Sequence, residues 1–322
     1  GELTLNSTDY ENPTDADGNN TYEVEVTVSD GSLTDSQAIT VTVTNVNDPP
    51  EIAQGPGPIT FTIPEDAGAV SWSAWDKTFG GSGSETCNDV IATADGGYLF
   101  VGTSDSNATG DKSQDSRGNS DYWAVKINSS GGKVWDKRFG GSGSDYCHAV
   151  VATADGGYLL AGRSYSGADG DKSEASRGGW DYWAVKIDLD GNKLWDKRFG
   201  GDDHDHCRSV VATLDGGYLL VGYSISGANG DKSDWNHGSF DMWAVKIDAS
   251  GNKVWDKRFG GSIADYCYDV VATSDGGYLL AGHSGSGISG DKSEDSRGGV
   301  DMWVVKVDAN GAKIWDKRFG GD

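Results

Sequence analysis

The phrase Trp-Asp-Lys-(Thr/Arg)-Phe-Gly-Gly begins at Trp75, Trp135, Trp195, Trp255 and Trp315, at intervals of 60 residues with no insertion or deletion. Other residues keep the same step: Cys87, Cys147, Cys207 and Cys267; Asp111, Asp171, Asp231 and Asp291; Trp123, Trp183, Trp243 and Trp303. A fixed period of this size restricts the chain to architectures that stack one supersecondary unit many times, such as a propeller, a solenoid or an array. The copies are close to identical, which marks recent duplication.

Inside the unit every local signal is β. The chain has 49 Gly, 12 Trp and 13 Tyr but only 6 Pro, a balance that suits tight turns between short aromatic-bearing strands. In the second copy, residues 150–153 form a β-branched run that ends at Asp155-Gly156-Gly157, a hairpin-turn signal. Residues 158–162 return as an apolar strand of the kind buried on both faces. A polar loop covers residues 164–179. Residues 181–188 then alternate, with Trp183, Val185 and Ile187 on one face and Tyr182, Ala184 and Lys186 on the other. Asp190-Gly191-Asn192 makes a second turn, and the strand through Trp195 and Phe199 completes the unit. Its alternating charges suit an exposed outer edge, while its Trp and Phe suit packing between units.

Four strands, two tight hairpins and one long loop make the pattern of a propeller blade. These residues resemble the bacterial β-propeller repeats over 75–322: a Gly-Gly-Ser-Gly-x-Asp opening, a short strand, a Gly turn, an apolar strand ending in Gly, a loop, then Asp-x-Trp-x-x-Lys and a second Gly turn. The resemblance implies a propeller in secreted or surface proteins, usually with no assigned activity. The chain departs from it in having four complete units (75–134, 135–194, 195–254, 255–314) and a fifth outer strand at 315–322. Either residues 75–79 or residues 315–319 are then expected to be surplus. Trp315, Lys317 and Phe319 are the candidates for a strand donated to a neighbouring subunit.

Residues 1–70 carry 13 carboxylates and no Lys or Arg, the first base being Lys77, in a chain of net charge −24. Such an arm repels nucleic acid and anionic membrane and suits divalent cations. Residues 22–28 and 38–44 alternate around an Asp30-Gly31 turn. Gly1-Glu2-Leu3-Thr4-Leu5, Asp9-Tyr10-Glu11, Val28-Ser29-Asp30-Gly31 and Asn45-Val46-Asn47-Asp48-Pro49-Pro50 resemble the second half of a cadherin-like domain, and Pro64-Glu65-Asp66-Ala67-Gly68 the opening of the next. The resemblance implies a Greek-key sandwich with calcium at domain junctions. The matching ligand positions are Glu11, Asn47, Asp48 and, across the junction, Glu65, with Asp9 and Asp66 as weaker matches. Fifty such residues cannot bury a sufficient core alone, so the half-sandwich needs a partner.

Chemistry-bearing residues are sparse. The four Cys fall in register, one per unit, and read as buried thiols rather than as a disulfide or a four-thiolate site. In the polar loop, Asp111 with Asp121, Asp171 with Asp181, Asp231 with Asp241, and Asp291 with Asp301 are cation-ligand candidates, although Lys172 and Arg177 in the same loop favour salt bridges and Asx turns. Trp180, Trp235 and Phe240 vary between copies and are the candidates for stacking on sugars. His148, His204, His206, His237 and His283 occupy non-equivalent positions, no Ser–His or Cys–His spacing recurs, and no enzymatic role is expected.

The expected fold is all-β: a propeller-type body of four four-stranded units over 71–322, a partial cadherin-like sandwich over 1–50, and a linker with the first strand of a following unit over 51–70. The expected function is a structural or adhesive module of an extracellular or cell-surface assembly, with no nucleic acid partner, built by strand complementation between subunits or with other surface proteins. A glycan-binding propeller using the polar loops is the alternative. Calcium is the one cofactor the reading suggests. No apolar run approaches the roughly 18 residues needed to span a bilayer, so no direct membrane insertion is expected.

Overall fold

The computed structural model describes residues 76–321 in full and, before them, the backbone of six strands. The chain divides into two units, Gly1–Asp76 and Lys77–Asp322. All regular structure among the described residues is β.

In the first unit the strands are β1 (Glu2–Leu5), β2 (Thr21–Ser29), β3 (Thr34–Thr44), β4 (Ile52–Ala53), β5 (Ile59–Pro64) and β6 (Val70–Ser73). β1 pairs with β6, and the other four form a sheet in the order β2-β3-β5-β4. The two alternating segments pair antiparallel, Val24 opposite Ile39 and Tyr22 opposite Val41, while β3 runs parallel to β5. The calcium candidates Glu11, Asn47, Asp48 and Glu65, with Asp9 and Asp66, lie outside the described residues.

The second unit contains four antiparallel sheets, each drawn from one contiguous stretch. Sheet I holds β7 (Glu85–Ala92), β8 (Tyr98–Ser104), β9 (Asp121–Ile127) and β10 (Lys133–Phe139). Sheet II holds β11 (Asp145–Ala152), β12 (Tyr158–Ser164), β13 (Asp181–Ile187) and β14 (Lys193–Phe199). Sheet III holds β15 (Asp205–Ala212), β16 (Tyr218–Ser224), β17 (Asp241–Ile247) and β18 (Lys253–Phe259). Sheet IV holds β19 (Asp265–Ala272), β20 (Tyr278–Ser284), β21 (Asp301–Val307) and β22 (Lys313–Phe319). The body is thus a propeller-type repeat, as the period implies. The first strands β7, β11, β15 and β19 contact one another in succession, and the last strand of each sheet lies outermost.

The hairpin residues do what their sequence requires. Gly156 turns with a φ of 93°, a conformation open to glycine, and the Gly157 carbonyl accepts from the Thr153 N–H at 2.9 Å. Asp155 beside it accepts from the Lys186 ammonium at 2.5 Å, which lets a lysine stem lie fully buried in the middle of β13.

Adjacent sheets bury their apolar faces against each other. Cys147, Val150, Leu160, Trp183 and Val185 of sheet II close on Leu99, Val101, Tyr122 and Phe139 of sheet I. The same contacts recur between sheets II and III and between III and IV. Each central Trp is anchored by the Asp of the repeated phrase: Trp183 Nε1 donates to Asp196 at 3.0 Å, and that carboxylate also accepts from the Ser173 N–H at 2.8 Å and the Lys193 ammonium at 2.7 Å. The Asp of the invariant Trp-Asp-Lys is therefore a junction that ties outer strand, loop and core together.

Trp315, Lys317 and Phe319 lie in β22, paired with Lys306, Val304 and Met302 of β21. They form an ordinary outer strand of sheet IV, joined to β21 by a tight turn in which the Asp308 N–H donates to the Ala312 carbonyl at 2.9 Å. The expectation of one outer strand too many is resolved at the other end, where residues 76–80 form no strand. The reason is chain connectivity: pairing across a short hairpin loses far less loop-closure entropy than pairing with a strand some 200 residues away.

Candidate functional site

Three of the eight loop aspartates, Asp171, Asp231 and Asp291, are built into the junctions between sheets. Asp171 accepts from Arg138 Nη1 of the preceding sheet at 2.7 Å and from the Gly140 N–H at 3.2 Å, with Arg117 Nη1 at 3.0 Å. Asp231 meets Arg198 at 2.8 Å and Arg177 at 2.9 Å, and Asp291 meets Arg258 at 2.6 Å. Asp111 has no such guanidinium, because Thr78 stands where the later copies have Arg; it accepts from the Gly80 N–H at 3.1 Å. Each Asp of the second set is buried and caps its own loop: Asp121 accepts from the Arg117 N–H, Asp181 from Arg177, Asp241 from His237 and Asp301 from Arg297. Arg138 thus lies between Asp171 and Asp121, the latter 4.0 Å from its Nε.

The electrostatics of this second set follow from burial. Asp181 is pushed up to about 7, first by desolvation and then by the Asp205 carboxylate across the junction. Asp121 and Asp241 are each pushed up to about 6 for the same leading reason. Oδ1 of Asp181 and Oδ1 of Asp205 make no hydrogen bond within the chain, which leaves their negative form poorly compensated. Among the described residues, no three His, Cys, Asp or Glu side chains gather as a metal-binding group.

Cys147, Cys207 and Cys267 are buried and Cys87 is exposed; all four are free thiols. Burial pushes Cys267 up to about 12, so it stays protonated and packs as a small apolar group. Of the loop aromatics, Trp180 packs on Tyr146 and Tyr165, Phe240 packs on Tyr223 and Tyr266, and Trp235 stands exposed.

The two end faces of the body differ from every internal junction. On sheet IV, Met302 and Phe319 are each 57% exposed, whereas their counterparts on sheet III, Met242 and Phe259, are 0% and 4% exposed. On sheet I, Val90 is 48% exposed against 4% for Val150, and Cys87 is open where Cys147 is sealed. No hydrogen bond or ring contact joins sheet I to sheet IV among the described residues. Part of the sheet I face is covered from within the chain: Phe79 packs with Phe100 on Trp123, Val125 and Ile127. Phe139 makes the same contact with the Trp183 face of sheet II. The segment before sheet I therefore supplies the plug that a preceding blade would provide.

A set of residues not singled out by sequence reasoning gathers beside the inner strands: Arg163, Arg208, Tyr146, Tyr223 and Tyr268, joined by His148, His206 and His283. Arg163 lies over the Tyr146 and Trp180 rings at 5.0 and 4.8 Å and approaches His206 Nδ1 at 2.5 Å. Arg208 donates to the Tyr223 hydroxyl at 2.7 Å. The signal available in the sequence is variation in phase: position 88 and its counterparts are Asn88, His148, Arg208 and Tyr268, and position 103 and its counterparts are Thr103, Arg163, Tyr223 and His283.

No protein-family model matches the chain. It is similar to the regulatory protein FlaEY of Caulobacter vibrioides, 25% identical over 206 residues, which are 59% of this chain and 21% of that protein. The chain thus spans about a fifth of that relative's length. Among solved structures it aligns with two mutants of the apocarotenoid oxygenase of Synechocystis, each at 12% identity, with TM-scores of 0.37 and 0.39, covering 99% and 98% of this chain and 61% of each of those. The expectation of no enzymatic role is corrected on this point, since the structures that align belong to an enzyme. At those scores the likeness carries no argument for a particular reaction, and none is assigned.

Proposed function

We propose that the chain is a structural, adhesive module of an extracellular assembly, and that its copies associate end to end. The observation that supports this reading is the pair of open end faces, which carry the same residue types that every internal junction buries. The fourth sheet of one copy would meet the first sheet of the next through the contacts that already join sheets I and II. Such a contact is head-to-tail, so it generates a ring or a filament according to the rotation per copy. Burial of side chains such as Met302 and Phe319 is worth on the order of 25 cal/mol per Å² of apolar surface removed from water.

This mode differs from donation of a single edge strand, because β22 remains paired with β21 and whole faces meet. Phe79 occupies the place that Phe319 of a neighbouring copy would take, so association requires displacement of that plug. The extracellular setting rests on the resemblance to surface-protein repeats and on the acidic arm.

The test is light scattering of the full chain across a range of concentrations, with Met302→Asp and Phe319→Asp as variants. Concentration-dependent growth that either variant abolishes, with an unchanged far-UV spectrum, is the expected outcome. Phe79→Ser should strengthen association. A wild-type chain that stays monomeric at high concentration, or growth indifferent to both Asp variants, overturns the reading.

A further inference from the structure

In a repeat this uniform, the positions that change carry information. Strand β12 and its counterparts read Tyr-Leu-(Phe/Leu)-(Val/Ala)-Gly-x-Ser, and x is Thr103, Arg163, Tyr223 or His283. The neighbouring inner strand holds a β-bulge in every sheet, where the register shifts between Cys147 and Ala149 and at the three equivalent places. The residue skipped at each bulge is Asn88, His148, Arg208 or Tyr268, different in all four copies. A bulge re-aims its side chain out of the sheet pattern and is over-represented beside functional sites. The main chain around it is tight: a Cβ added to Gly162 would lie 2.0 Å from the Tyr146 carbonyl oxygen. The fold thus holds a fixed backbone under a diversified set of side chains.

Those side chains form one continuous strip because position 163 of one sheet meets position 206 of the next. Arg163 bridges to His206, His206 stacks near Tyr223 at 5.0 Å, Tyr223 meets Tyr266 edge-on at 4.7 Å, and Tyr266 lies 5.0 Å from His283. Two guanidiniums sit within it. Arg117, Arg138, Arg177, Arg198, Arg258 and Arg318 each lie against a carboxylate. Among the described residues, Arg163 and Arg208 lie against no carboxylate. Instead they face neutral rings, Arg163 those of Tyr146, Trp180 and His206 and Arg208 those of Tyr223 and Tyr268, and the two guanidiniums oppose each other electrostatically. Flanking them, Tyr165 is 55% exposed and packs at a tilt of 49° against the half-buried Trp180, ring centres 5.6 Å apart.

Guanidiniums without a carboxylate partner recognise carboxylates and tetrahedral oxyanions, and flat ring faces beside them accept the C–H face of a ligand. We propose that the strip around Arg163 and Arg208 binds an acidic saccharide, its carboxylate or sulfate groups on the guanidiniums and a sugar ring on Tyr165 and Trp180. An extended acidic peptide fits less well, since the strip alternates each cation with ring faces rather than presenting a run of cations or main-chain partners. The site joins the inner strands to the two ends of one polar loop, at Tyr165 and Trp180, and stands independently of end-to-end association.

The test is calorimetric titration of the full chain with an oligogalacturonide, a heparin-derived tetrasaccharide, neutral maltotetraose and poly-glutamate. Saturable binding of at least one acidic saccharide is expected, with no binding of maltotetraose. The first two arms separate carboxylate from sulfate recognition. Arg163→Gln, Arg208→Gln and the exposed Tyr165→Ala should each weaken binding about tenfold or more, while Trp235→Ser on the outer loop leaves it unchanged. Thermal melts establish that each variant is folded, and Tyr165→Ala remains decisive if an Arg variant is not. Failure of both acidic saccharides, affinity unaltered by all three variants, or poly-glutamate binding as tightly as the sugars overturns the proposal.

Discussion

The Tyr182 hydroxyl donates a hydrogen bond to the main-chain carbonyl of Trp243, 2.9 Å away across the junction between sheets II and III. Tyr122 makes the same bond to the Trp183 carbonyl one junction earlier. Both hydroxyls are buried, so each bond satisfies a carbonyl that has no access to water. Tyr182→Phe keeps the packing and removes the donor. It should lower stability by about 1 kcal/mol, read as a drop in the denaturation midpoint with unchanged m-value.

Asp196 holds the Trp183 indole, the Ser173 N–H and the Lys193 ammonium at once. Asp196→Ala strands all three and should cost more, roughly 3 kcal/mol, as expected for breaking a buried charged network. The matching change at Asp316, which is on the open sheet IV, should cost less, because its neighbourhood is less enclosed. Equal losses at the two sites would contradict the role assigned to the closed junctions.

The raised Asp181 makes a signed prediction for pH. Its folded-state value of about 7 lies above the ordinary carboxylate value of ~3.9, so the folded chain holds this proton more tightly than the unfolded chain. Its contribution to stability therefore falls as pH rises between those two values. Asp181→Asn mimics the protonated form and still accepts from the Arg177 N–H. The gap in Tm between about pH 5 and about pH 8 should move by several degrees, the variant gaining on the wild type at the higher pH. Comparing the two proteins cancels the opposite contribution of His148 and His206, which burial and the nearby guanidiniums hold down to about 3.

Gly162 has its strand partner so close that any side chain collides with main chain. Gly162→Ala should destabilise sheet II by about 2 kcal/mol or more, in the range of overpacked cores. Hydrogen exchange should show the loss concentrated in β11 and β12. Gly156→Ala faces no such collision and suffers only its positive φ, so its cost should be the smaller of the two.

Much of the body is legible in the sequence because turn chemistry and alternation are local. Asp155-Gly156-Gly157 and Asp190-Gly191-Asn192 mark the two hairpins, and the face carrying Trp183, Val185 and Ile187 is the one that packs on sheet I. The period, however, has no phase. Counting from Trp75 or from Glu85 gives the same 60 residues, and only hairpin connectivity decides that 315–319 completes a sheet while 76–80 forms no strand. The loop aspartates were visible as a recurring set, but their partners were not: Arg138 of sheet I reaches Asp171 of sheet II, a pairing that exists only once sheets are stacked. The Arg163–His206 contact is hidden for the same reason, since it joins different positions of different copies and leaves no repeated spacing.

The junction between sheets I and II is built from the same residues as the two that follow, and every sheet comes from one uninterrupted stretch. Removing or inserting a whole unit therefore leaves one face like that of sheet I and one like that of sheet IV at the ends. A gene carrying this repeat can change its copy number by unequal recombination without creating a single new kind of contact. Length becomes a heritable variable on which selection can act, while the diversified strip, one set of side chains per unit, is reshuffled with each such event.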